Sequence, residues 1–235
     1  MNNVVQRIAD NVAAVGQRIA DAARRSGRSA AEVTLIAVTK YVGPTEVSAL
    51  LEAGCRELGE SRPQELWRKT EAIKKEGVHW HLIGHLQRNK VRRTLPSVTL
   101  IHSCDSLRLL AEIDRVAGEA GIRVPVLLES NISGDSEKHG FAPQEIEGIL
   151  PEIGELHNVQ LRGLMAMASL DGDFAVARQD FARLRELRDR LRENCPETIS
   201  LAELSMGMSR DFEIAIEEGA TMVRVGSALF EGVAR

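Results

Sequence analysis

The chain has 235 residues, long enough for one large domain with a sizeable core and, on length alone, for two small ones. Its 30 Lys and Arg against 34 Asp and Glu leave a net charge of −4, so no overall field draws it to nucleic acid or to an anionic membrane. Cys55, Cys104 and Cys195 are odd in number and widely spaced, which suits neither a disulfide framework nor a metal-ligand spacing and predicts a reducing compartment.

In chain order, the first segment carries Val5, Ile8, Val12, Val15, Ile19 and Ala22 at helical spacing, ended by Ser26-Gly27. Arg and Asp interrupt its apolar residues too often for a signal sequence or a membrane span, so a cytoplasmic protein is expected. The run VTLIAVTK (33–40) is short, β-branched and apolar on successive residues, as a parallel strand buried on both faces requires. A helix is predicted to start near Pro44. Further strands are predicted at 55–60, 78–84, 100–105, 124–131, 159–168, 201–206 and 222–229. Helical patterns fall between them at 61–76, 86–95, 106–120, 142–156, 174–194 and 209–218. Eight strands alternating with helices most economically close into a (β/α)₈ TIM barrel, here with an extra N-terminal helix. An open doubly wound sheet is the alternative, because strand count does not fix strand order. No linker or low-complexity tract interrupts the pattern, which predicts a single domain over 1–235.

Three features bear on chemistry. Lys40 is read as the last residue of an apolar strand, on the face where barrels place their reacting groups, and desolvation there would favour a neutral, imine-forming amine. A lysine at a strand end also simply reaches water, so position alone leaves both readings open. In SMGMSRDFEIAIEEGA (205–220) a glycine turn leads into a helix, where Ser209 serves equally as an N-cap or as part of a phosphate cradle. In RVGSALF (224–230) Gly226 allows a close backbone approach and Ser227 offers an N–H and a hydroxyl. Both segments follow the last two strands, where barrels frequently bind phosphate.

The segments around Lys40 (VTKYV), GESRPQEL (59–66), HWHLIGHLQRNK (79–90), GLMAMA (163–168), ELSMGMSRDFEIAIEEG (203–219) and MVRVGSALF (222–230) together resemble the pyridoxal phosphate homeostasis family, the YggS/PROSC proteins, relatives of the N-terminal barrel of alanine racemase. The resemblance spans nearly the whole chain. It implies that pyridoxal 5′-phosphate (PLP) is held as a Schiff base on Lys40, that Ser209, Gly226 and Ser227 hold its phosphate, and that Arg224 faces the pyridine nitrogen. Ser61 stands where the family usually has Asn, so a polar contact to the cofactor there is lost or left to water. Glu231 interrupts the family's usual Phe-Gly at the end of the chain.

An arginine beside the ring nitrogen only donates, which favours an unprotonated pyridine and a weaker electron sink. Alanine racemase takes its second acid/base from a tyrosine associated with another domain. The single tyrosine here, Tyr41, adjoins Lys40. The expected role is therefore PLP binding for homeostasis or for delivery to apo PLP-enzymes, without evident turnover, by a monomer that uses neither nucleic acid nor membrane. A weak amino-acid racemase is the alternative, and a Schiff-base aldolase acting on a sugar phosphate is a further one. His79 and His81 alternate on a strand with His85 nearby, but no carboxylate or cysteine stands at ligand spacing and no metal is expected. Arg88, Lys90, Arg92 and Arg93 read as a solvated basic face. Met165, Met167, Met206 and Met208 are divided between core filling and the cofactor ring. Phe174, Phe181, Leu184, Leu187 and Leu191 form the apolar stripe of the longest helix.

Overall fold

The computed structural model describes residues 2–134, 139–169 and 173–233, so the two ends of the expected 1–235 domain lie outside the described residues. The first helix, α1 (Asn2–Arg25), buries Ile8, Val15, Ile19 and Ala22 along the expected stripe and ends before Gly27, whose φ of 71° suits glycine. It lies against the outside of the barrel, held to the last helix by Arg18–Glu213 and Arg25–Glu217 ion pairs of 2.8 and 2.7 Å.

Eight parallel strands follow: β1 (Thr34–Val38), β2 (Glu57–Glu60), β3 (His79–Leu82), β4 (Leu100–Cys104), β5 (Val124–Glu129), β6 (Val159–Met165), β7 (Glu203–Met208) and β8 (Met222–Val225). They pair in chain order, and β8 returns to β1 with Leu35 opposite Val223, so the sheet is a closed barrel and the open alternative is excluded. The connecting helices are α2 (Pro44–Glu52), α3 (Pro63–Ala72), α4 (Val91–Thr94), α5 (Leu107–Ala120), α6 (Pro143–Gly154), α7 (Phe174–Asn194) and α8 (Phe212–Glu217). Proline opens α2, α3 and α6, where its missing N–H costs no helical bond.

The helix expected over 61–76 is confined to α3, and two further helices are shorter than their patterns. Over 86–95 only α4 is α-helical, between 3₁₀ turns at 88–90 and 95–97; Pro96 lacks the N–H a continuing helix would need. Over 209–218, α8 starts three residues late, because Asp211 Oδ1 accepts the Met208 N–H at 2.6 Å and keeps the preceding residues in a turn. The stripe of α7 holds for Phe181, Leu184, Leu187 and Leu191, all buried, but Phe174 is 54% exposed beneath the Arg210 guanidinium.

Strand side chains alternate between two environments. Outward residues such as Leu58, Ile101, Leu164 and Val223 join the helices in one large apolar core, whereas Leu100, Leu127, Met165 and Met222 form a small separate cluster inside the barrel. At Gly163 a Cβ would lie 1.9 Å from the Glu203 carbonyl oxygen and 2.6 Å from its carbon, so β6 and β7 approach too closely for any side chain. Gly163→Ala is expected to cost about 1–3 kcal/mol by forcing these strands apart. Urea unfolding checks this, with a lower midpoint at unchanged slope as the expected result and an unchanged midpoint contradicting it.

Candidate functional site

At the C-terminal end of the strands a cavity of about 520 Å³ opens, within the range of roughly 300–1,000 Å³ usual for small-molecule sites. All six residues named from the sequence line it: Lys40, Ser61, Ser209, Arg224, Gly226 and Ser227. Met167 and Met208 line it too, while Met165 and Met206 are buried in the core.

The floor is Arg224, which points inward from β8 and is only 4% exposed. Its Nη1 donates to the Ser205 carbonyl and hydroxyl oxygens, both at 2.7 Å, and its Nη2 to the Ala166 carbonyl at 2.9 Å. Burial lowers its pKa to about 10, against the opposing attraction of Glu129 and Asp211, and it stays a cation at neutral pH. Glu129, also inside the mouth, is pushed above the usual carboxylate range by burial and by neighbouring Asp105.

The rim is built from the loops after β7 and β8. The Ser209 hydroxyl does not cap α8; it accepts the Gly226 N–H at 3.0 Å and the Ala228 N–H at 3.5 Å, tying the two loops together. The anion cradle expected at a helix start is therefore a pair of cross-linked loops, with Asp211 occupying the helix start. Gly226 permits this closure: a Cβ there would stand 3.3 Å from Val38 Cβ on β1. The Ser227 N–H and hydroxyl have no hydrogen-bond partner among the described residues, and Ser227 lines the cavity.

Lys40 departs from expectation in two ways. The strand ends at Val38, and Lys40 sits two residues later in a turn. Its side chain is exposed, with Nζ 4.9 Å from the centre of the Tyr41 ring, so the expected desolvation is not present in this state. Its backbone is nevertheless held from below. Lys69 of α3, 2% exposed, donates to the Thr39 carbonyl at 2.6 Å and pairs with Glu60 at 2.5 Å. The other Glu60 oxygen accepts the Ser61 N–H at 2.8 Å. One buried ion pair thus holds the chain on both sides of the cavity.

Sequence reasoning missed this pair and, inside the barrel, Glu57, His102 and Ser205. Glu57 accepts from both His79 (2.6 Å) and His81 (2.7 Å), so these two histidines do share a side and do have a carboxylate, from a neighbouring strand. His85 is separate from them, bonded to Asp105 at 2.8 Å and stacked on His139 at 4.7 Å at the barrel mouth. Strand-to-strand register creates the first grouping and the meeting of loops at the barrel mouth the second, both invisible in a linear spacing. In the basic cluster, Arg92 pairs with Glu119, and Arg93 pairs with Glu71 and covers the Trp67 ring. The three cysteines are free thiols; burial raises Cys55 to about 11 and also pushes Cys104 well above the usual thiol range, leaving both poor nucleophiles.

Residues 10–233 match the alanine racemase N-terminal domain family. The chain is 39% identical to the pyridoxal phosphate homeostasis protein of Aquifex aeolicus (strain VF5), over 94% of this chain and 96% of that one. This chain belongs to the pyridoxal phosphate homeostasis protein family. Its counterpart in Deinococcus radiodurans is 40% identical over 94% of this chain and 99% of its own. Among solved structures, PipY of Synechococcus elongatus PCC7942 with PLP bound superposes with a TM-score of 0.83 at 36% identity, covering 95% of this chain and 99% of that one. Among the described residues no helix is long and apolar enough to cross a membrane.

Proposed function

We propose that this protein binds PLP reversibly in the barrel-mouth cavity and serves intracellular PLP homeostasis or its delivery to apo PLP-enzymes. The carrying observation is the convergence in one cavity of an amine (Lys40), a buried permanent cation (Arg224) and a loop pair bearing unpaired donors (Ser227, beside Gly226). These match the three parts of PLP: an aldehyde, a pyridine nitrogen and a phosphate. The family membership and the PLP-bound relative support the same ligand.

PLP supplies an aldehyde that forms a reversible covalent bond to an amine. Lys40 is the amine, and a ligand seated over it would provide the desolvation the exposed side chain lacks. Ser209 keeps the two loops closed so that Gly226 and Ser227 meet the phosphate with backbone and hydroxyl donors. Arg224 would donate toward the ring nitrogen of the bound cofactor and favour its unprotonated form, because a guanidinium has no proton acceptor to offer. Ser61 lines the cavity on its β2 side.

Delivery is tested by loading the protein with PLP, removing free cofactor and adding an apo PLP-enzyme whose activity reports uptake. Faster reactivation than an equal amount of free PLP permits, under a competing aldehyde trap, is expected. Loaded protein that reactivates no enzyme restricts the role to storage. A protein whose absorbance does not respond to PLP would sink the binding itself and favour an aldolase.

A further inference from the structure

A chain of buried polar groups runs through the barrel from the cavity floor to its opposite end. Arg224 Nη1 lies 2.7 Å from Ser205 Oγ, Ser205 Oγ 2.8 Å from His102 Nδ1, His102 Nε2 2.9 Å from His81 Nδ1, and His81 Nε2 2.7 Å from Glu57. Five strands contribute one residue each: β8, β7, β4, β3 and β2. His102 and Ser205 are wholly buried and His81 is 3% exposed, while Glu57, at the first residue of β2, reaches the barrel's lower, partly open end.

The two ends fix the direction of every bond. A guanidinium only donates, so Ser205 Oγ accepts from Arg224. An ionised carboxylate only accepts, so His81 Nε2 carries a hydrogen toward Glu57. Burial would raise the Glu57 pKa, yet the His81 and His79 hydrogen bonds bring it below the usual range, so it is ionised at neutral pH. With neutral rings, His81 Nδ1 is then an acceptor, His102 Nε2 carries the hydrogen, and His102 Nδ1 accepts from the Ser205 hydroxyl. Burial above all, with the Arg224 cation nearby, holds His102 well below the usual histidine range and keeps it neutral. Every donor meets an acceptor. Reversing the upper half would need a second proton on His81 and would leave the Ser205 hydrogen without an acceptor in the chain, a costly state in a dry interior.

We propose that Glu57, His81, His102 and Ser205 are positioning residues for Arg224: a one-way chain of donors that locks both histidines as Nε2–H tautomers and holds the guanidinium in a single orientation toward the ligand. Glu57, at the far end of the barrel from the cavity, thereby influences how tightly the ligand is held. The ligand part rests on the PLP reading; the tautomer part does not.

The test is long-range ¹⁵N–¹H NMR of the histidine rings in the ligand-free protein, with His81 and His102 assigned by His→Gln variants, alongside PLP titration. Wild type is expected to show Nε2–H for both rings. Glu57→Ala, a change at the partly exposed end, is expected to mix the His102 tautomers, shift the Arg224 Nε–H resonance and weaken PLP binding roughly threefold to tenfold, the scale of one net hydrogen bond. Glu57→Gln, whose carbonyl still accepts from His81, is expected to restore all three. An Nδ1–H tautomer or a charged ring at His102 in wild type overturns the proposal, as does a Glu57→Ala protein with unchanged His102 and Arg224 signals. A wild type that shows the tautomers but no PLP binding would instead refute the PLP reading alone.

Discussion

Replacing Lys40 with alanine is expected to abolish covalent retention of PLP while leaving the fold intact. The side chain is exposed in a turn beyond β1 and touches only the Tyr41 ring among its described contacts, so its removal should change stability by less than about 0.5 kcal/mol. Its loss removes the only atom assigned to bond the aldehyde. Wild type mixed with PLP should develop a visible band that borohydride reduction makes permanent through denaturation and desalting. Lys40→Ala should show neither the band nor the retained cofactor. Arg224 and the Ser209-linked loops remain, so weak non-covalent binding should persist, reduced at least tenfold. A Lys40→Ala protein that still carries borohydride-fixed PLP would move the attachment to another lysine.

Lys69 predicts the opposite pattern. It is among the largest wholly enclosed side chains, and its ammonium neutralises Glu60, itself 0% exposed. Lys69→Met fills nearly the same volume but strands the Glu60 charge and the Thr39 carbonyl in a dry interior. A loss of about 3–5 kcal/mol is expected. Lys69→Met with Glu60→Gln should recover more than half of this, because the desolvated charge is gone, and that non-additivity identifies charge rather than packing as the cause. Urea unfolding of the three variants decides it: a single substitution costing under about 1 kcal/mol contradicts the argument. Because Thr39 precedes Lys40 and Glu60 precedes Ser61, the folded fraction of the single variant should also bind PLP more weakly, by letting both cavity walls drift.

The contrast between these two lysines shows which parts of the protein are readable in one dimension. Lys40 follows a β-branched apolar run, and that local signal, together with the surrounding motif, singled it out. Lys69 lies within the charged helix QELWRKTEA and reads as one more solvated residue; only the closure of α3 over β1 and β2 reveals it as buried. The desolvation expected of Lys40 failed for the same reason in reverse, since a strand-end position does not say how far the turn projects from the cavity.

His102 is likewise silent in the sequence, and His81 is visible there only as one of an alternating pair, because a bond between strands depends on register and not on spacing. Of the two readings the sequence leaves open for Ser209, the helix cap is not found: its hydroxyl accepts from the loop after β8, seventeen residues on, and it lines the cavity.

By itself, the sequence determined the eight-fold strand and helix alternation and the amphipathic N-terminal helix and, through the motifs it shares with its family, named six of the residues that line the cavity, because hydrophobic period and short motifs are properties of neighbours along the chain. Tertiary structure decided the rest: that the sheet closes rather than stays open, which lysine is buried, how the two loops are tied, and the polar chain beneath Arg224. Those depend on contacts between residues far apart in sequence, where burial turns ordinary charges and imidazoles into groups whose every hydrogen bond is constrained by the lack of water.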